Sequence, residues 1–314
     1  MAQTQALNTL AFDVRTALKE GIARLRAAAV PSYTLAAELL LIHAVGRDRT
    51  WIYSHAEELI HPAVVEKYFG LIARRAAGEP TQHLTGKQEF WGLEFEVTPA
   101  VLIPRPETEH VVEVALERLG AAGIKIDMKT GSPTPPLRIA DVGTGSGCIA
   151  VALAQELPHA TIVATDISAA ALEVAGHNAA RHRVADRVRF VETDLLSGVA
   201  LSPDGAGHPP PLFDLIVSNP PYVARNHAAA LAREVREHEP ETALFGGATG
   251  VEMYARLIEH AGALLRARGN LVVELGYGVA DSVRAILAAQ AGWANICITN
   301  DLAGIPRVLA AERI

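Results

Sequence analysis

Behind an apolar run the chain reads "VSNPPYV", which places Asn219, Pro220, Pro221 and Tyr222 at the end of a candidate strand. An asparagine side-chain carbonyl and the backbone carbonyl of a φ-locked proline are two hydrogen-bond acceptors on a stiff turn. Such a pair suits an NH2 group. Amide and ring-amino nitrogens are poor nucleophiles because their lone pair is delocalised into the π system, so what they need is orientation and acceptors for the positive charge that develops as they pyramidalise. Tyr222 adds a ring face and a hydroxyl that can wall the pocket against water. The same residues also read as a plain stop, since prolines end strands and Asn-Pro opens turns; Ser218 reads as strand filler.

A second stretch, "DVGTGSGCIAVALA", carries glycines at 143, 145 and 147 with Thr144 and Ser146 between them. Glycines there let the backbone turn tightly and bring a ligand up to the following helix, where side chains would collide. Alone, a Gly-rich loop is also what a flexible turn looks like. This one follows a strand, opens a helix and precedes Asp166, which closes the next strand 23 residues after Gly143. The dinucleotide fingerprint GxGxxG would need glycine at 148, where the chain has Cys148; the spacing is GxGxG with an acid two residues before it. That points away from a pyrophosphate and toward a nucleoside ligand. Asp194, in "ETDLL", closes a third strand and reads equally as a ligand contact or a helix N-cap.

The elements that must hold these residues alternate. From "LRIADVG" onward come "TIVATD", "VRFVETD", "FDLIVSN", "GNLVVELG", "ICITND" and "RVLAAER", with helices or long connections between them. Strands alternating with helices predict a mostly parallel, doubly wound α/β sheet of seven strands, in which ligands bind beyond the carboxyl ends of the strands. Upstream, "TLAAELLLIHAV" and its neighbours repeat apolar residues at three- and four-residue spacing, predicting a small all-α N-terminal domain over 1–80. Residues 81–105, with alternation in "LEFEV" and a glycine at 92, predict a linking β-hairpin, and 106–314 the α/β domain. "ETEHVVEVALERLG" reads as a helix with acids in its first turn. "AAGIKIDMKTGSPTPP" and "SPDGAGHPPP" read as surface loops.

With 314 residues, half of them apolar, core material is plentiful. The formal charge of −7 argues against holding nucleic acid by phosphate neutralisation, so no direct nucleic-acid binding is expected. Residues 1–80 are near balance, nine Lys/Arg against eight Asp/Glu, and the remaining chain holds 19 against 27. Two cysteines, Cys148 and Cys297, without a CxxC or a His pair suggest neither a disulfide framework nor a metal site. No leader pattern and no apolar run of spanning length is seen, so a soluble, cytoplasmic protein with no membrane partner is expected.

The GxGxG spacing resembles the first motif of class I S-adenosylmethionine-dependent methyltransferases, with a Rossmann-like fold. That resemblance implies that the loop of Gly143, Thr144, Gly145, Ser146 and Gly147 packs against the methionine portion and Asp166 accepts hydrogen bonds from the ribose hydroxyls. It also puts Asp194 near the adenine, Leu195 against its ring, and Asn219 beside the cofactor. The Asn-Pro-Pro-Tyr turn resembles both glutamine-amide and adenine-amino methyltransferases. "GEPTQHLTGKQEFWGLEFEV", "LIPRPETE", "EPETALFGGATGVEMY" and "DLAGIPRVLAAE" resemble the HemK/PrmC family of protein-(glutamine-N5) methyltransferases over nearly the whole chain. The resemblance implies S-adenosylmethionine as cofactor and the glutamine of the Gly-Gly-Gln loop of class 1 peptide chain release factors as acceptor, with the helical domain docking that substrate. A related family that modifies a ribosomal-protein glutamine tends to have Pro-Arg-Ser where this chain has Pro104, Arg105 and Pro106, which favours the release-factor family. Arg105 could anchor a carboxylate near the site, Glu107 and Glu109 could favour a helix N-terminus, and Phe90 and Trp91 could cover the cofactor or seal the core.

Overall fold

The computed structural model describes residues 12–121, 137–199 and 212–314. The two stretches read as surface loops, all but Ala121 and the first residues of the N-terminal helical reading lie outside the described residues. The chain divides into two compact units, one made of residues 12–87 with Ala232–His238, the other of Gln88–Leu231 and Glu239–Ile314.

The first unit is helical: α1 (Val14–Ala27), α2 (Tyr33–Val45), α3 (Arg49–Ser54), α4 (Pro62–Ala76) and α5 (Thr81–Thr85). Short acids start two of these helices. Asp13 accepts from Thr16 N at 2.6 Å and Asp48 from Trp51 N at 2.7 Å, each satisfying an otherwise orphaned first-turn N–H. α1, α2 and α4 enclose a core around Leu25, Leu40, Leu41, Tyr68 and Ile72. The buried Tyr68 hydroxyl donates to Ala37 O at 3.3 Å, as a buried phenol must find a partner. α5 falls where the sequence reads only as hairpin or linker. Five residues between Pro80 and the left-handed Gly86 cap are too few for a helical period to show.

The second unit opens with a hairpin, β1 (Lys87–Phe90) and β2 (Leu93–Glu96), turned at Trp91 and Gly92, whose φ values are 55° and 68°. Positive φ at both turn residues gives the hairpin the hand that strand twist favours. After α6 (Glu109–Ala121) the alternation runs β3 (Arg138–Val142), α7 (Cys148–Glu156), β4 (Thr161–Asp166), α8 (Ala169–Arg181), β5 (Val188–Glu192) and β6 (Phe213–Ser218). Then come β7 (Val223–Ala224), α9 (Arg233–His238), which belongs to the first unit, and, back in the second, α10 (Glu241–Leu244), β8 (Phe245–Gly247), α11 (Glu252–Leu264), β9 (Leu265–Glu274), α12 (Ala280–Ala289), β10 (Trp293–Asn300) and β11 (Pro306–Arg313).

The main sheet has seven strands in the order β10-β11-β9-β6-β3-β4-β5. β5, β4, β3, β6 and β9 are parallel, and β11 runs antiparallel to both β9 and β10. Strand alternation divides the core. Ile139, Leu215, Val217, Val272 and Ala310 face the cluster that includes α6, α7 and part of α8, while Ala140, Ile216, Leu271, Val273 and Leu309 face the cluster of α11 and α12. Both faces are covered, which is why these strands read as continuous apolar runs. Every residue of β6 is buried, and at its carboxyl end the chain leaves the core past Ser218.

Candidate active site

β3 ends at Val142, and the loop after it is held by backbone bonds to the neighbouring strand: Gly143 N and Thr144 N both donate to Thr165 O, at 2.9 and 2.8 Å. Asp141 lies beneath the loop, fully buried. Its Oδ2 accepts from the Thr144 hydroxyl at 2.6 Å and from Ala150 N at 3.1 Å, and its Oδ1 has no hydrogen-bond partner among the described residues. Burial pushes its carboxyl up to about 7, against the pull of those two donors. Asn178, also fully buried, donates to Ser146 O at 2.9 Å and exchanges two bonds with the backbone of Glu96, tying the loop to β2.

Beyond the strand ends lies a cavity of about 380 Å³. Gly143 and Gly145 line it with φ of 71° and 55°, and a Cβ placed on either would meet nothing within 4 Å. The open space over them is the cavity itself, so the backbone there forms a cradle that side chains would fill. Thr144 and Ser146 line it as well. Gly147 does not: its Cβ would stand 3.1 Å from Ala175 Cβ, so it serves the approach of α7 to α8. Cys148 lines the cavity at the start of α7, with its thiol pushed up to about 12 by burial and so kept protonated.

Asp166, at the end of β4, lines the cavity while Oδ2 accepts from Gly145 N at 2.9 Å and Oδ1 from Ser168 N at 2.9 Å. Each carboxylate oxygen has a second lone pair for a ligand hydroxyl. After β5, Asp194 and Leu195 line the cavity as well. Asp194 caps no helix; its carboxylate pairs with Arg256 at 2.6 Å. Leu195 sits at φ 53°, a conformation costing roughly 1–2 kcal/mol for a residue with a Cβ, and is 9% exposed.

Asn219, Pro220 and Pro221 line the cavity after β6. Asn219 Nδ2 donates to the Thr108 hydroxyl at 3.1 Å. With the nitrogen tied back, the amide oxygen is the end left for a ligand. Ser218, which reads as strand filler, donates to Val142 O at 2.7 Å and also lines the cavity. Tyr222 does not line the cavity; its hydroxyl points to Glu274 Oε1 at 3.5 Å. The short parallel pair β7–β8 clamps the turn from outside, and a Cβ on Gly246 would fall 2.2 Å from Pro221 O, one on Gly250 2.3 Å from Tyr222 O. The glycines of "FGGATG" thus let a second segment press against the Pro-Pro-Tyr backbone.

The remaining candidates take structural places. Arg105 lines the cavity and pairs with the buried Glu239 at 2.5 Å, whose other oxygen accepts from Ile103 N at 3.3 Å. Glu109 accepts from Trp91 N at 2.7 Å, bracing the hairpin turn, and Trp91 Nε1 donates to Glu156 at 2.8 Å. Phe90 is buried in the α/β core beside Phe95.

The chain matches the PrmC N-terminal domain over residues 16–86 and the methyltransferase small domain over residues 129–241. The "Release factor glutamine methyltransferase" of Koribacter versatilis is 40% identical over 302 residues, 96% of this chain and 99% of that protein. The protein of the same name from Chlorobaculum tepidum is 42% identical over 299 residues, covering 95% and 97%. The chain belongs to the release factor glutamine methyltransferase family. Among solved structures, the catalytic domain of hMettl16 in complex with MAT2A 3'UTR hairpin 6 superposes with a TM-score of 0.53 at 19% identity, over 76% of this chain and 81% of that one. That likeness is one of fold. For a member of this methyltransferase family, sequence reasoning overlooked Thr108, Glu274 and Asn178 at the site. The available signal for Glu274 was an acid closing the apolar run "LVVE", one strand from Asn219. No helix among the described residues is long and apolar enough to cross a membrane.

Proposed function

We propose that this protein transfers a methyl group from S-adenosylmethionine to the side-chain amide nitrogen of the glutamine in the Gly-Gly-Gln loop of class 1 peptide chain release factors. The names of its relatives support the acceptor, and the observation that carries the chemistry is the orientation of Asn219, whose amide nitrogen is bound to Thr108 while the residue lines the same cavity as Gly143 and Gly145. S-adenosylmethionine, when bound, supplies an electrophilic methyl carbon. The open backbone at Gly143 and Gly145 fits its methionine portion. The Asp166 carboxylate can take the ribose hydroxyls, and Leu195 offers an apolar wall for the adenine. Asn219 Oδ1 and Pro220 O then receive the two N–H bonds of the acceptor amide. Both are fixed before the reaction, so they orient the nitrogen and take up its developing charge without reorganising. The all-α unit is the docking element for the release factor, a role supported by its near balance of charge beside the acidic remainder.

The test is a methylation assay on purified release factor, read by the mass of its Gly-Gly-Gln peptide. One added methyl on the glutamine is expected. Asn219→Ala should keep S-adenosylmethionine binding and lose at least about 100-fold in turnover, as expected for a group that stabilises developing charge. Full turnover by that variant would remove the turn from the mechanism. Label appearing instead in a ribosomal protein or in nucleic acid would reassign the acceptor.

A further inference from the structure

Asn219 and Thr108, which line the cavity, and Glu274, which does not, form a chain of hydrogen bonds. Thr108 is 2% exposed and Glu274 2% exposed. The Thr108 hydroxyl donates to Glu274 Oε2 at 2.6 Å, and Asn219 Nδ2 donates to the same hydroxyl at 3.1 Å. Glu274 ends β9, one step beyond the Ser218–Val273 register pair of β6 and β9, and Thr108 enters from the single turn Pro106–Thr108 that leads into α6. The backbone of Glu274 is fixed in turn, with its carbonyl accepting from the Tyr254 hydroxyl at 2.9 Å. Burying a carboxyl against apolar strands costs stability that an apolar residue at this position would not.

The direction of the chain follows from donor and acceptor chemistry. An ionised carboxylate only accepts, so the Thr108 hydrogen must point at Glu274. The lone pairs of Thr108 then face Asn219, and only the NH2 end of an amide can bind there. A flipped Asn219 would set its oxygen against the Thr108 oxygen and turn its NH2 toward the acceptor, presenting a donor to a donor.

We propose that Glu274, through Thr108, is a positioning relay that holds the Asn219 amide in the one orientation able to accept from the substrate nitrogen. The proposal rests on the reading of Asn219 as the acceptor for the glutamine amide. Glu274 does not line the cavity, whereas Thr108 does and acts in this relay through Asn219.

The test uses the full chain with S-adenosylmethionine and release factor, and compares Thr108→Val, which keeps shape without the hydroxyl, with Thr108→Ser, which restores it, and with Glu274→Gln. Thr108→Val should lower kcat by about 10- to 100-fold, the scale of a mispositioned reacting group, with S-adenosylmethionine affinity unchanged. Thr108→Ser should recover most of that loss. A second reading is independent of turnover: in protein labelled with 15N-asparagine, the Asn219 side-chain NH2 signals, assigned with Asn219→Asp, should shift in Thr108→Val and Glu274→Gln and return in Thr108→Ser. Wild-type kcat in Thr108→Val, or Asn219 signals indifferent to both substitutions, would overturn the relay. Inactivity of the wild type on release factor, with the NH2 signals still responding as described, would support the relay and sink the assigned acceptor instead.

Discussion

The site depends on two buried acids whose ionisation the fold resists. Burial pushes the carboxyls of Asp141 and Glu274 each up to about 7, and for Glu274 the neighbouring Thr108, Arg307 and Tyr222 pull the other way while Glu107 adds to the rise. Both acids ionise near 4 in the unfolded chain. Between about pH 4 and pH 7 the unfolded state has already lost protons that the folded state keeps, so stability falls as pH rises across that window, by on the order of 4 kcal/mol per group, and levels off above it. Urea midpoints for the ligand-free protein should accordingly drop from about pH 5 to about pH 8, and Glu274→Gln should flatten part of the slope. Activity moves the opposite way. Ionised Glu274 accepts only, whereas its protonated form could donate to Thr108 and release the directional lock, so release-factor methylation should rise with pH through about 7. Glu274→Gln should lose that limb of the profile.

At the scale of elements, the site is a set of strand ends held at fixed distances by what packs around them. Gly246→Ala pushes a methyl into Pro221 O, so it should destabilise the protein by about 1–3 kcal/mol and cut turnover more than cofactor affinity. Gly176, inside α8 with open space over it, is the contrast. Gly176→Ala should raise stability by about 0.5–1 kcal/mol with turnover unchanged, because only the backbone entropy of the unfolded chain is altered; denaturant titration and the methylation assay check both. These differences also explain what could be read from the chain. The seven strands, the glycine loop and the Asn-Pro-Pro-Tyr stop were legible because period, spacing and turn chemistry act within a few residues. The relay was not, since Thr108 and Glu274 are 166 residues apart and meet only through the strand order. Tyr222, expected to wall the cavity, turns its hydroxyl to Glu274 because a buried phenol needs a partner, and that partner is invisible from its neighbours in sequence.

At the scale of the whole molecule, the connection from β7 to β8 is the least expected feature. The chain leaves the clamp on the Asn-Pro-Pro-Tyr turn, contributes Ala232–His238 to the helical unit and returns. In that unit Arg75, 5% exposed, pairs with Glu234 at 2.5 Å and donates to Glu79 O at 3.1 Å. Removing the carboxylate leaves a buried guanidinium short of its counter-charge. Glu234→Ala should therefore cost about 2–4 kcal/mol, read as a lower midpoint for the helical unit. The polypeptide crosses between the units at three points, 87–88, 231–232 and 238–239, so the helical unit is assembled from two separate stretches of backbone. A chimera that exchanges the helical unit needs three splice junctions, and a fragment cut after residue 87 carries away a unit that lacks one of its own pieces.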